Sequence, residues 1–350
     1  MKQQSPVRIM VVGAGHMGTQ HIKKILAIGP KIGAVVSAVV DPDEKRAKNV
    51  LSLCRQSDAK LPEIISNVGE VGRLGAESYP EAAVVAVPSS IHNETTSACL
   101  AKGLHCLVEK PLGFSALDVR DLNSQAIKSN RLLQVGLLER WSLVNLWGNW
   151  KPERGPWTLN ATRVGPFVPR VADTDVVHDL MIHDVDLFVL LDSIFKFSPI
   201  KKIRAWGRKL RSTNLDLAIA ALDFEDGGMA RFFSSRLASD GARSWEMTGP
   251  NWHASIDFMR KNLKRFERSA TNPAVFEARE HQWTEGDPLG LEIETFVQRI
   301  RGNFDTRVHS ASHSTGLCSP AAFLPTPQNV LRTHEIMDEI LSCMSVLETR

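Results

Sequence analysis

From Val7 onward the chain alternates short apolar runs with longer segments whose apolar residues fall on one helical face. Val7 to Val12 is a nearly continuous apolar run of strand length, and after Gly13–Gly18 comes a helical pattern with Ile22, Ile25 and Leu26 on one side. Ala34 to Val40, Ala82 to Val87, His105 to Val108 and Leu132 to Leu138 predict further strands. Between them, Pro88-Ser89-Ser90 offers serines to cap a helix running to Gly103. Ser115, with Asp118 three positions later, has the form of a capping box and opens a helix to about Asn130. Such alternation predicts a parallel sheet with helices on both faces.

The pattern changes near residue 131. Candidate strands then follow one another: Thr158 to Val164, Lys202 to Trp206, Leu215 to Phe224, Met229 to Ser235 and Trp245 to Thr248. Asp226-Gly227-Gly228 marks a hairpin between two of them. One long helix is expected from about Thr174 to Leu191, and Glu292 to Ile300 and Asn329 to Leu347 are expected to be helical too. Residues 302–327, rich in Ser, Thr, Pro and His, read as a loop or lid. The fold class expected is therefore α/β: a parallel-sheet domain with helices on both faces over residues 1–130, and an α+β domain with an open, mainly antiparallel sheet over 131–350.

Composition narrows the function. The 350 residues are 43% hydrophobic and 23% charged, with a net charge of +3, too mild a balance to predict a nucleic-acid or membrane-surface partner. No apolar run approaches the ~18 residues of a membrane span, and the opening Met1-Lys-Gln-Gln-Ser-Pro6 lacks a signal-peptide core, so a cytoplasmic protein is expected. Cys54, Cys99, Cys106, Cys318 and Cys343 are scattered, with no C-x-x-C pair, which fits neither a disulfide framework nor a structural zinc site; no metal is expected. Tyr79 is the only tyrosine, and Ala83 stands where a Tyr-x-x-x-Lys pair would need its lysine, which excludes a short-chain dehydrogenase.

Gly13-Ala-Gly15-His-Met-Gly18 lies between a strand and a helix, the context that gives a G-x-G-x-x-G its meaning. Gly13 permits the tight turn, Gly15 lets backbone approach a pyrophosphate, Gly18 allows close helix–strand packing, and the helix N-terminus faces the anion. Asp41, ending the second strand, can accept hydrogen bonds from an adenosine ribose and would repel a 2′-phosphate, which favours NAD over NADP. Arg46, in the charged run Asp43–Arg46, works the other way if it meets that phosphate. Ligands of such sheets sit beyond the strands' carboxyl ends, where Gly13, Asp41, Pro88 and Glu109-Lys110-Pro111 would converge. His16, Met17 and His92 are counted with this cofactor-side group. In the second half, Asp179, His183 and Asp186 share one face at regular helical spacing. A carboxylate one turn from an imidazole suits a general base, although a solvated acidic face containing a histidine has the same spacing.

Together, the glycine motif, Ala86-Val-Pro88, Glu109-Lys110-Pro111-Leu112-Gly113 and Asp179-Leu-Met-Ile-His183-Asp-Val-Asp186 resemble the glucose–fructose oxidoreductase/inositol dehydrogenase/MocA family, in the family's order along nearly the whole chain. The resemblance implies an N-terminal Rossmann domain and a C-terminal domain whose open sheet face mediates homodimers or homotetramers. It implies NAD(P)-dependent oxidation or reduction of a secondary hydroxyl on a sugar, inositol or similar molecule. Lys110, Asp179 and His183 match the family's catalytic positions: His183 as proton acceptor, Lys110 stabilising developing negative charge, Asp179 orienting them. Residues 179–186 and Asp287–Phe296 look most like enzymes that oxidise the 3-hydroxyl of UDP-N-acetylglucosamine, which in bacteria can serve lipid A synthesis. A diphosphate would then need cations, for which Arg163, Arg170 and the run Arg260 to Arg268 are candidates. Glu139-Arg140-Trp141 departs from the family's usual aromatic-Asn-Pro at that place. Two other readings are a dehydrogenase of a free sugar or polyol, and a non-catalytic NAD-binding sensor.

Overall fold

The computed structural model describes residues 5–53, 61–143, 157–169, 174–269, 271–272, 274–283, 286–302 and 323–346. Arg170, Cys54, Cys318 and most of the 302–327 segment lie outside them. Within the described residues the chain divides into two compact units, one of residues 5–141, 287–302 and 325–327, the other of 142–286, 323–324 and 328–346.

In the first unit, β1 (Val7–Val12), β2 (Ala34–Val40), β3 (Glu63–Ile65), β4 (Ala82–Val85), β5 (His105–Glu109) and β6 (Leu133–Gly136) form one sheet in the order β3-β2-β1-β4-β5-β6. Every pairing in it is parallel. Its central strands are buried on both faces, which is why they read as continuous apolar runs rather than alternating ones. The helices α1 (His16–Ile32), α2 (Glu44–Leu53), α3 (His92–Ala101) and α4 (Ala116–Lys128) follow in turn, with a short α5 (Glu139–Leu143) after β6. Chain order reverses between β1 and β4, the switch point at which such sheets hold ligands.

The expected capping box is present: Ser115 Oγ accepts from the Asp118 N–H at 3.2 Å, and Asp118 accepts from the Ser115 N–H at 3.0 Å. The serines after Pro88 do not cap α3; Ser89–Ile91 forms a 3₁₀ turn and no side chain caps the helix. A seventh helix, α7 (Pro288–Ile300), belongs to this unit although 157 residues separate its start from the residue-130/131 division expected from sequence. Asp287 caps α7 through Gly290 N–H at 2.9 Å, and Ile293, Phe296 and Val297 pack into the core with β1 and Ile22 and Ile25 of α1.

The second unit is built on a nine-stranded sheet. Its strands are β7 (Thr158–Val164), β8 (Ile200–Arg208), β9 (Leu217–Phe224), β10 (Met229–Ser235), β11 (Ala242–Gly249), β12 (Trp252–Asp257), β13 (Asn262–Arg268), β14 (Phe276–Gln282) and β15 (Met344–Val346). The order is β14-β13-β12-β11-β7-β10-β9-β8-β15, antiparallel except at β7–β10 and β8–β15. In β9 Ala218, Ala220, Leu222 and Phe224 are buried while the residues between them are not, the signature of a one-sided sheet. Onto that face packs α6 (Ile182–Phe195), buried through Leu187–Leu191, together with Trp157, Phe232, Trp245 and the apolar side of α8 (Pro327–Ser342). Trp206 and Met229 point to the other face and are exposed.

Candidate active site

The glycine turn is sterically determined. Gly13 has φ +96°, and a Cβ there would stand 2.5 Å from the Ala86 carbonyl oxygen. A Cβ on Gly18 would run into the Gly13 carbonyl, whereas one on Gly15 would meet nothing within 4 Å. That open volume lies before the N-terminus of α1, whose first turn carries no acidic residue to compete for an anion. Asp41, buried at 3% exposure, accepts from the Ala14 N–H at 2.8 Å and from the Asp43 N–H at 2.9 Å; Arg46 approaches it at 3.6 Å. A tight turn, an anion-ready helix end and a fixed carboxylate together fit a dinucleotide. His16 is exposed and Met17 half-buried at the start of α1.

The other cofactor-side residues are tied to one another. His92 is buried, its Nδ1 2.6 Å from the Pro111 carbonyl oxygen and its Nε2 2.9 Å from that of Val87. It therefore fastens the exposed Pro88 turn to the segment after Lys110, rather than offering a ring nitrogen to a ligand. Glu109 ends β5 buried, with Oε1 2.7 Å from His21 Nε2. Lys110 is half-buried, and its peptide bond to Pro111 is cis.

In the second unit the expected regular helix begins differently. Val177–Met181 is a π-turn, with α6 continuing from Ile182. Such turns change the angular register, so spacing counted at 3.6 residues per turn does not hold across this one. Asp179 and His183 are half-buried, and Asp186 is 1% exposed and accepts from Thr333 Oγ1 at 3.3 Å. His178 is also turned inward, with Nδ1 2.8 Å from Asp175 Oδ2. Burial works against charge on Asp175, but the His178 ring and the N–H groups of His178 and Val177 outweigh it and hold the carboxyl below its ordinary range.

The π-turn is anchored by a charge pair that sequence reading did not single out. Arg236 donates to Asp216 Oδ1 at 2.9 Å and to the Thr174 carbonyl at 2.9 Å, both side chains being buried. Burial opposes the Asp216 charge, yet the N–H groups of Arg211, Ser212 and Leu210 and the Ser212 hydroxyl keep its carboxyl far below the usual range.

Two cation expectations are corrected. Arg163, 2% exposed on β7, donates to both oxygens of Asp184 at 2.8 and 3.2 Å, and the Trp245 indole N–H donates to Asp184 at 2.8 Å. This is a buried structural pair inside the core, not a cation presented to a diphosphate. Within Arg260 to Arg268, Arg260 faces Asp257, Lys264 faces Glu280, Arg265 faces Glu267, and Arg268 lies over the Phe276 ring. Of these contacts, Lys264 with Glu280 and Arg268 with Phe276 join β13 to β14.

A dinucleotide turn at the switch point of a parallel sheet, joined to a second α+β unit, defines a two-unit oxidoreductase. Residues 7–137 match the profile described as an oxidoreductase family with an NAD-binding Rossmann fold. The chain is 29% identical over 299 residues to a UDP-N-acetylglucosamine 3-dehydrogenase of Acidithiobacillus ferrooxidans, covering 84% of this chain and 88% of that protein. A solved structure of UDP-N-acetylglucosamine 3-dehydrogenase from that organism superposes with TM-score 0.75 at 25% identity, over 97% of this chain and 98% of the other. An inositol 2-dehydrogenase of Streptomyces avermitilis is 34% identical over 134 residues, 38% of this chain and 36% of that protein. Levoglucosan dehydrogenase in complex with NADH shares the fold, with TM-score 0.74 at 13% identity over 97% of both chains. The chain is thus similar to members of the glucose–fructose oxidoreductase/inositol dehydrogenase/MocA family, through residues 7–137 in the family profile and over most of its length to individual relatives, and is an NAD(P)-dependent dehydrogenase acting on CH–OH groups. Among the described residues no helix is long and apolar enough to cross a membrane.

Proposed function

We propose that this enzyme oxidises the 3-hydroxyl of UDP-N-acetylglucosamine, using NAD, as a step toward an aminosugar of the kind used in lipid A. The observation that carries this reading is the extent of the likeness. Similarity to the UDP-N-acetylglucosamine enzyme runs through 84% of the chain, against 38% and 65% for two inositol dehydrogenases. By the resemblance of their motifs, Lys110, Asp179 and His183 are assigned the catalytic roles. The bound nicotinamide supplies the hydride acceptor. His183 takes the hydroxyl proton, the Lys110 ammonium stabilises the negative charge that develops on oxygen, and Asp179 orients the pair. With Arg163 held in the core, the cations for the diphosphate come from elsewhere.

The test is to mix purified protein and NAD with UDP-sugars and free polyols and to follow reduced nicotinamide by absorbance. Turnover of UDP-N-acetylglucosamine is expected. Turnover of inositol or free glucose alone would replace this reading with that of a polyol dehydrogenase, and no turnover of any would favour a sensor.

NAD is assigned over NADP because Asp41, fixed by two peptide N–H groups, sets a negative charge at the ribose position. Fluorescence titration, with eight Trp as reporters, is expected to show tighter NAD binding and a narrower preference in Asp41→Ala. Equal or tighter NADP binding by the wild type would assign the site to Arg46 instead. Homo-oligomerisation is assigned to the open face of the second sheet, where Trp206 and Met229 are exposed. Light scattering should give a dimer or tetramer that Trp206→Glu weakens; a monomeric wild type would remove the assignment.

A further inference from the structure

At the C-terminal end of β5, one residue before Lys110, the first unit encloses three titratable side chains from three distant parts of the sequence. Glu109 is held on one oxygen by His21 of α1, at 2.7 Å. Its other oxygen lies beside Gly136 at the end of β6, 3.4 Å from where a Cβ would stand. The third side chain is Glu292 of α7, with 0% exposure. Among the described residues neither Glu292 oxygen has a partner in hydrogen-bond geometry, and the same is true of His21 Nδ1. The Trp141 indole N–H and the Leu137 peptide N–H are turned toward Glu292 without reaching such geometry; the Leu137 N–H donates to Val135 O at 3.0 Å.

We propose that Glu292 is a positioning residue of the Lys110 site: a buried neutral acid set against the Glu109 carboxylate, leaving that pair with one negative charge and coupling its ionisation to Lys110 through Glu109. The proposal deepens the catalytic role given above to Lys110 and rests on it for its functional meaning.

Two carboxylates set near each other, one of them fully buried, cannot both stay charged at ordinary cost, so one holds a proton. The choice between them follows from their partners. Glu109 has the His21 ring nitrogen Nε2 at hydrogen-bond distance, a group able to donate to a carboxylate in its Nε2–H form, whereas Glu292 has no donor in place. Burial first, and the Glu109 charge second, push the Glu292 carboxyl well above its usual range, with Trp141 and Leu137 acting weakly in the other direction. Other charged or titratable groups on the enclosing elements include His21, buried on α1, Arg140, fully buried on α5 beside Trp141, and the half-buried Arg299 on α7 itself. Arg299 donates to Gln134 Oε1 at 3.0 Å, and Gln134 Nε2 donates to the Glu292 backbone carbonyl at 3.3 Å, which seats α7 on β6. The cluster thus joins the helix that begins at the glycine turn, the strand that ends at Lys110 and a helix from the far end of the chain.

Glu292→Gln preserves the shape of the neutral acid and removes its proton, so it tests the idea without emptying a buried volume; Glu292→Ala is the control that does empty it. Infrared spectra at neutral pH should show a carboxylic-acid carbonyl band in the wild type that Glu292→Gln lacks. A group whose native ionisation is displaced upward stabilises the fold fully below its unfolded pKa, and that contribution is lost as pH rises toward the native value. Denaturant titrations should therefore show the wild-type folding constant falling relative to Glu292→Gln by up to about tenfold per pH unit above the ordinary Glu range of about 4.3. Lys110 is read directly by its acylation rate against pH, followed by mass spectrometry. Its midpoint should lie lower in Glu292→Gln, because ionised Glu292 in the wild type favours the ammonium at high pH.

Coincident pH dependences of stability, or no missing infrared band, would show Glu292 to be charged and the neutral-acid assignment wrong. Superimposed Lys110 curves would reduce it to a packing residue. None of these readouts uses substrate, so a failed sugar assay overturns the proposed function and leaves this proposal standing or falling by itself.

Discussion

Replacing His183 or Lys110 with alanine is expected to lower kcat by about 10²–10⁴-fold, while His183→Ala leaves NAD affinity within a few-fold. Removing a hydrogen from carbon as hydride requires the hydroxyl proton to leave as well, and imidazole, with an unperturbed pKa near 6.5, is suited to take it at neutral pH. Lys110 follows the carboxyl end of β5, the end at which ligands of such sheets are held, and the proposed mechanism assigns its ammonium to the charge developing on the oxygen. The same proposal assigns the adenine and pyrophosphate contacts to Gly13–Gly18 and Asp41, which His183→Ala does not alter. Steady-state kinetics with the substrate identified by the screen, paired with cofactor titrations, checks both halves. Near-normal kcat in His183→Ala with none in Lys110→Ala would make the lysine the proton acceptor. Unchanged turnover in both would move the site elsewhere.

The second large effect concerns stability. Arg163→Met leaves the Asp184 carboxylate buried with the Trp245 N–H as its remaining described donor, and losing one partner of a buried ion pair costs about 3–5 kcal/mol. Against total stabilities of about 5–15 kcal/mol, that loss lowers the melting temperature by roughly 10 °C. Differential scanning calorimetry measures it, and the double change Arg163→Met with Asp184→Leu should recover much of the loss, because no orphaned charge remains. A variant that melts normally but loses affinity for UDP-sugars would restore Arg163 to the role its sequence position suggested, a cation for the diphosphate.

Arg163 shows why charge in a sequence is ambiguous. A lone arginine on an alternating strand has the same appearance whether it meets solvent, substrate or a buried carboxylate, and its partner Asp184 lies 21 positions away on another element. The strands β13 and β14 escaped notice for related reasons. β14 is exposed at every position, and β13 carries Lys264, Arg265, Glu267 and Arg268 among seven residues, so neither shows the apolar alternation that identifies a strand. Pairing with neighbours, not burial, makes them strands.

What the sequence alone determined is local and periodic. The parallel sheet follows from apolar runs buried on both faces, the glycine turn from steric demands confined to a few adjacent residues, and the α4 cap from Ser115 and Asp118 three positions apart. The order of the motifs sufficed for the family. Tertiary structure alone decided whatever depends on groups remote in the chain. It returned α7 to the first unit and enclosed Glu292 with Glu109 and His21, 183 and 271 positions away, and it turned Asp186 inward to Thr333. It also set a π-turn beneath Asp179, anchored by Arg236 bonding to Thr174 O from 62 positions away. Periodicity reports which face of an element avoids water; it carries no information about which partner waits there, and the chemistry of a buried charge is set by that partner.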